Sequence, residues 1–169
     1  MKQKAVFLDR DGVINDDTGH YYIYRPEDFR LNAGVTEGLK LLSDAGFKLI
    51  IVSNQGGMAK GIYTKDDISS VHEKLTEELK KHSLKVDAIY YCPHHESVSD
   101  CDCRKPKPGM ILDAIEEFNI NPMKSYLIGD SERDITAGKS AGLKECFLIE
   151  KNSSIIPVCK TIIKKSTDG

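Results

Sequence analysis

The chain has no apolar run approaching the ~18 residues that a membrane-spanning helix needs, no internal repeat and no recognisable domain linker. It also lacks an excess of basic charge. Its 24 Lys+Arg stand against 26 Asp+Glu, a formal net charge of -2. A bilayer span is therefore not expected, and nothing supplies the positive field that a nucleic-acid partner would require. Met1-Lys2-Gln3-Lys4 leads straight into a strand-like stretch, without a secretory apolar region and cleavage site, so the cytoplasm is the expected location. An odd set of five cysteines in such a chain argues against a disulfide framework. What is present is ordinary globular composition. Over 169 residues, 40% hydrophobic and 30% charged, there is material for one domain with a proper core. Without heptads, a monomer is expected.

The stretch Lys4–Gly12, K-A-V-F-L-D-R-D-G, organises the rest. Ala5–Leu8 is an unbroken apolar run that suits a buried parallel strand, and Asp9 and Asp11 stand at its carboxyl end. Open α/β sheets bind ligands outside the carboxyl ends of their strands. Two carboxylates there suit a hard cation such as magnesium, and one could act as a nucleophile.

Downstream, the periodicity alternates. Val13–Asn32 is irregular and carries His20, Tyr21, Tyr22 and Tyr24, the mark of a pocket-shaping loop or of aromatics folded back on the domain. A helix is expected over Val35–Ala45, a strand over Phe47–Val52 and a glycine-bearing loop to Gly61. A helix follows, capped by Thr64 with Asp67 three residues on, and runs to Lys81. Val86–Tyr91 reads as a strand and Gly109–Phe118 as a helix with Ile111, Leu112, Ile115 and Phe118 mostly inward. Tyr126–Ile128 and Cys146–Ile149 read as strands on either side of a helix over Ile135–Ala141. The tail from Lys151 suits a last strand or a short helix. Alternating strands and helices give βαβ units and a parallel sheet.

Asp9, Ser53, Cys92 and Asp130 each fall at a strand end, which points to one crevice. Ser53 and Asn54 offer a hydroxyl and an amide to a phosphate, Lys105 a point charge and Arg104 a planar fork. The expected chemistry is phosphoryl transfer. Asp9 attacks phosphorus and Asp11 serves as acid and then base. Magnesium sits on Asp9, the main-chain carbonyl of Asp11 and Asp130, and Asp134 orients a water or Lys105.

The ordered motifs D-R-D-G-V-I-N, S-N-Q, C-R-K-P-K-P-G-M and G-D-S-E-R-D resemble those of the haloacid dehalogenase superfamily of phosphatases, over the chain to about Ile149. R-P-E-D-F, N-Q-G-G-M-A-K-G-I-Y-T, Y-Y-C-P-H-H and C-D-C-R-K-P narrow the resemblance to the D-glycero-D-manno-heptose 1,7-bisphosphate 7-phosphatase family, with histidinol-phosphate phosphatases as the alternative. The resemblance implies a three-layer α/β/α Rossmann-like fold with a mostly parallel sheet and no large cap domain. It implies a sugar bisphosphate substrate, a place in lipopolysaccharide or S-layer glycan synthesis, Asp9 as nucleophile, Asp11 as acid/base and Lys105 as charge-balancing lysine. Ser53 stands where threonine is usual, Gly57 where serine is common and Ser131 where a lysine often follows the motif aspartate.

Cys92, Cys101 and Cys103, with His94 or His95, make a Cys₃His set. Spacing leaves the two histidines open. The resemblance implies zinc on Cys92, His94, Cys101 and Cys103, in a loop over about 92–108. Four protein ligands make such a zinc structural. Cys146 reads as core and Cys159 as incidental.

Overall fold

Ala5–Leu8 is buried at all four positions, and such a segment can lie only inside a sheet covered on both faces. In the computed structural model, which describes residues 1–169, it is the central strand β1. Four further parallel strands flank it: β2 (Lys48–Asn54), β3 (Ala88–Cys92), β4 (Tyr126–Gly129) and β5 (Glu145–Leu148). Their order is β3-β2-β1-β4-β5. The chain thus winds outward on one side of β1, then crosses back to wind outward on the other. The carboxyl ends of β1 and β4 border that reversal, where doubly wound sheets bind ligands.

Strand side chains alternate between faces. Val6 and Leu8 pack with buried residues of α1 (Val35–Asp44), α2 (Lys65–Lys80) and α5 (Ile156–Thr167). Ala5 and Phe7 pack with α3 (Gly109–Glu117) and α4 (Glu132–Ser140). Three layers result, as the resemblance implied. Helix α2 shows why the local sequence complies. Thr64 Oγ1 accepts from Asp67 N at 3.2 Å while Asp67 Oδ2 accepts from Thr64 N at 2.8 Å. Such a cap is worth about 1 kcal/mol, and Ile68, Val71, Leu75 and Leu79 then bury one face.

Of the strand or short helix left open for the tail, the structure has helix α5, which packs on α1. Two expectations change. Cys159, expected to be incidental, is fully buried there beside Ile155 and Ile162. Helix α3 buries Met110, Ile111 and Ala114 but leaves Leu112 at 47% exposure, because Leu112 falls on the outer side of the turn that Ile111 turns inward. Strand β2 runs on through Ser53 and Asn54, which pair with Tyr91 and Cys92 of β3. The irregular segment after β1 forms no separate cap. Val13, Ile14, Ile23 and Phe29 anchor it in the core, and Tyr24 stacks on Tyr63 at 5.4 Å. No helix is long and apolar enough to cross a membrane.

Candidate active site and cysteine–histidine centre

Asp9 follows β1 directly, and its Oδ1 accepts from Arg10 N at 2.9 Å. Lys105 arrives from the loop before α3. Its Nζ donates to Asp9 Oδ1 at 3.0 Å, to Asp134 Oδ1 at 2.6 Å and to Val52 O at 2.8 Å. The Lys105 and Asp134 side chains are each only 3% exposed. Burial alone would strip the Lys105 proton, but Asp9 and Asp134 overcome it and push the ammonium's pKa up. Burial pushes the Asp9 carboxyl well up, with Lys105 opposing and Asp134 and Asp130 reinforcing. Asp130, at the end of β4, is raised by burial and then by Asp134.

Oxygens of Asp9, Asp130 and Asp134 lie within 4.8 Å of one another. Three crowded carboxylates against one ammonium fit a small hard cation that takes oxygen ligands. Two glycines make this proximity possible. Gly12 has φ +87°, and a Cβ there would collide with the Asp130 carboxylate. A Cβ on Gly129 would strike Asp134. Asp134 also completes the cap of α4, accepting from the Ser131 and Asp130 amides at 3.2 Å each.

Asp11 borders the same cavity of about 160 Å³, with Asn54, Lys105 and Arg133. Its carboxylate faces a different set of donors. It accepts from Arg10 Nε at 3.1 Å and Nη2 at 2.9 Å, from Asn15 Nδ2 at 3.0 Å and from Gln55 Nε2 at 3.2 Å. Arg10 is fully buried, donates also to Ile23 O at 2.8 Å and lies 3.2 Å from His72 Nε2. Gln55 in turn accepts from Tyr63 Oη at 2.7 Å. Burial, then the Arg10 charge, pushes the His72 pKa down to about 4. Arg10, Gln55, Tyr63 and His72 were not singled out from sequence. The one available signal was an arginine placed between two strand-end aspartates.

Ser53 and Asn54 differ in their surroundings. Ser53 is buried, and its Oγ accepts from Gln55 Nε2 at 2.8 Å. Asn54 holds the Lys105 main chain, with Nδ2 donating to Lys105 O at 3.0 Å and Oδ1 accepting from Lys105 N at 2.9 Å. Arg104 lies outward, its Nε 2.6 Å from Glu96 and its Nη1 donating to His94 O at 3.2 Å.

Beside them, Cys92, His94, Cys101 and Cys103 direct their ligand atoms into one space. Cys92 Sγ is 3.6 Å from Cys101 Sγ and 3.4 Å from His94 Nδ1, which is 3.2 Å from Cys103 Sγ. A tetrahedron with metal–sulfur bonds of about 2.3 Å has edges of about 3.8 Å, so the set is close to a ligand cage. His95 is turned away, its Nδ1 2.7 Å from Ser97 Oγ.

A parallel sheet whose central strand ends in two aspartates, faced by a buried lysine, is the arrangement of one hydrolase class. The model of the haloacid dehalogenase-like hydrolases matches residues 5–142, and the chain belongs to that family. Within it, the chain is closely related to the D-glycero-D-manno-heptose-1,7-bisphosphate 7-phosphatases. It is 42% identical over 158 residues to the D-glycero-beta-D-manno-heptose-1,7-bisphosphate 7-phosphatase of Pasteurella multocida, covering 90% of this chain and 85% of that one. It is 39% identical over 155 residues to the alpha-anomer 7-phosphatase of Photorhabdus laumondii, covering 88% and 84%. The crystal structure of D,D-heptose 1,7-bisphosphate phosphatase from B. bronchiseptica, complexed with magnesium and phosphate, superposes with a TM-score of 0.85 at 26% identity, covering 96% of this chain and 99% of that one.

Proposed function

We propose that this chain is a magnesium-dependent phosphomonoesterase that removes the 7-phosphate of D-glycero-D-manno-heptose 1,7-bisphosphate, leaving heptose 1-phosphate. The observation that carries the reading is Lys105 Nζ bridging Asp9 at 3.0 Å and Asp134 at 2.6 Å beside the reversal of the sheet. A carboxylate nucleophile is thereby held against a fixed cation. The kinship with 7-phosphatases over nearly the whole chain supports the substrate.

In this reading an Asp9 oxygen attacks phosphorus and the bond from phosphorus to the sugar oxygen breaks, Asp11 giving that oxygen a proton. Water then attacks the aspartyl phosphate, Asp11 takes its proton, and the bond from Asp9 to phosphorus breaks. Lys105 offsets charge on the phosphoryl oxygens. Asn54 positions Lys105 and borders the phosphate. Ser53 braces the strand end through Gln55, and Arg104 faces the sugar or its distal phosphate. Asp9, the Asp11 main-chain carbonyl and Asp130 would hold magnesium, with Asp134 fixing Lys105 beside them. When bound, magnesium supplies positive charge that offsets the carboxylates and the incoming phosphate. Cys92, His94, Cys101 and Cys103 would hold zinc, which suits thiolate and imidazole and, with four protein ligands, serves structure. It would pin the loop over 92–108 that delivers Arg104 and Lys105.

A monomer acting as one domain over residues 1–169 belongs to the same proposal, since the sequence carries no heptad repeat. The net charge of -2 supports a small-molecule substrate over a nucleic acid, and a cytoplasmic location belongs to the same proposal. Initial rates with magnesium on both anomers of the bisphosphate and on histidinol phosphate test it. The expected result is a kcat/KM at least ~100-fold higher for a heptose bisphosphate, since a site built to bind a polar group rejects analogues lacking it. A preference for histidinol phosphate would overturn it.

A further inference from the structure

Two cavities adjoin at the carboxyl ends of the strands. The smaller, about 160 Å³, holds Asp9 and Asp11. The larger, about 280 Å³, is lined by Glu96, Asp100, Arg104 and Lys107. Lys105 and Arg133 line both. A phosphomonoester bound at Asp9 must send the rest of its molecule out of the smaller cavity, and the larger one is the adjoining space.

Charge pairing separates the cations along that route. Lys105 is committed to Asp9 and Asp134. Arg104 Nε is 2.6 Å from Glu96, and Lys107 Nζ is 2.7 Å from Asp100. Arg133 has no such partner. Its main-chain N donates to Ser131 Oγ at 3.2 Å within the cap of α4, which fixes where the side chain begins. Its guanidinium makes no ion pair and no hydrogen bond to the protein. A planar guanidinium free of a carboxylate can take a phosphate through two parallel hydrogen bonds without first giving up a partner.

We propose that Arg133 is a specificity residue that binds the second, non-reacting phosphate of the substrate as it leaves the catalytic cavity. The inference rests on the sugar-bisphosphate reading above and adds a residue that this reading does not use. Arg104 lines the same larger cavity from the opposite loop and would share the group, but only by loosening its hold on Glu96.

The test is a ratio. kcat/KM is measured for the heptose 1,7-bisphosphate and for the heptose 7-phosphate that lacks the distal group, in wild type, Arg133→Ala, Arg133→Lys and Lys139→Ala. Lys139→Ala removes one positive charge further along the same helix. The expected result is a fall in the bisphosphate-to-monophosphate ratio of about 10- to 100-fold in Arg133→Ala, carried mainly by KM. Arg133→Lys should recover part of it, and Lys139→Ala should keep the wild-type ratio. A loss of activity through misfolding would lower both substrates together and leave the ratio unchanged, which would overturn the assignment, as would equal ratios in Arg133→Ala and Lys139→Ala. If wild type itself shows no preference for the bisphosphate, the bisphosphate reading falls and this inference with it. If that preference is present and survives in Arg133→Ala, only the inference falls.

Discussion

Asn54 holds the Lys105 main chain on both sides of its Cα, accepting from Lys105 N at 2.9 Å and donating to Lys105 O at 3.0 Å. The last residue of β2 thereby sets the position of a lysine that comes from a loop far along the chain. Lys105 Nζ then has three acceptors in reach: Asp9, Asp134 and Val52 O. Asn54→Ala removes both hydrogen bonds. The expected outcome is a kcat reduced by about 10- to 100-fold, because small displacements of a charged catalytic group are costly in rate. Steady-state kinetics decide it, and an unchanged kcat would show that Lys105 is placed without Asn54.

Asp134 serves two elements at once, the Lys105 ammonium and the cap of α4. Asp134→Ala leaves a buried cation short of a partner and two amides short of an acceptor. Breaking a buried ion pair costs about 3–5 kcal/mol. Asp134→Asn keeps a capping oxygen and should lose less. Urea unfolding of the two variants measures the difference, and a loss in Asp134→Ala below ~1 kcal/mol would contradict the coupling.

His72 carries a pH dependence whose sign is fixed. Its pKa is pushed down to about 4, from an ordinary value of 6.5, first by burial and then by Arg10. Between those values the unfolded chain binds a proton that the folded chain refuses. Stability is therefore complete above about pH 6.5 and falls as the pH drops toward 4. From this group the loss between pH 7 and 5 should be about 2 kcal/mol. His72→Gln should flatten the profile in that window, as read from urea midpoints. A wild-type slope that His72→Gln does not alter would contradict it.

Cys101 Sγ accepts from the Arg104 main-chain N at 3.4 Å, one residue before Lys105. The cysteine–histidine centre and the lysine are therefore linked through a single peptide unit. Cys101→Ser, or prolonged chelation, should remove bound zinc and lower kcat by about 10-fold or more through displacement of that loop. Metal analysis beside kinetics checks both halves. Purified wild-type protein free of zinc would refute the ligand set.

The fold was legible because β1 is short and apolar and because strands and helices alternate without long gaps. The approximate places of all five strands could be read, although β2 extends further than expected because Ser53 and Asn54 pair with β3. Helix α5 was not resolved from a strand because lysines interrupt its apolar positions, and only packing on α1 shows Cys159 and Ile162 to be core. The positions Asp9, Lys105, Asp130 and Asp134 were readable from their places near strand ends and loops. The network around Asp11 was not. Arg10, Gln55, Tyr63 and His72 come from four separate segments, and no local pattern announces that they meet. Nor does spacing reveal that Arg133 lacks a partner, since pairing is decided by tertiary neighbours.

The most direct measurement is to quench the protein during turnover of phosphorus-labelled substrate with magnesium and to locate the label by peptide mapping. The phosphoryl group should be found on Asp9, and Asp9→Asn should retain fold and zinc while losing label and turnover together. Label on any other side chain, or near-normal turnover in Asp9→Asn, would contradict the assignment of Asp9 as nucleophile.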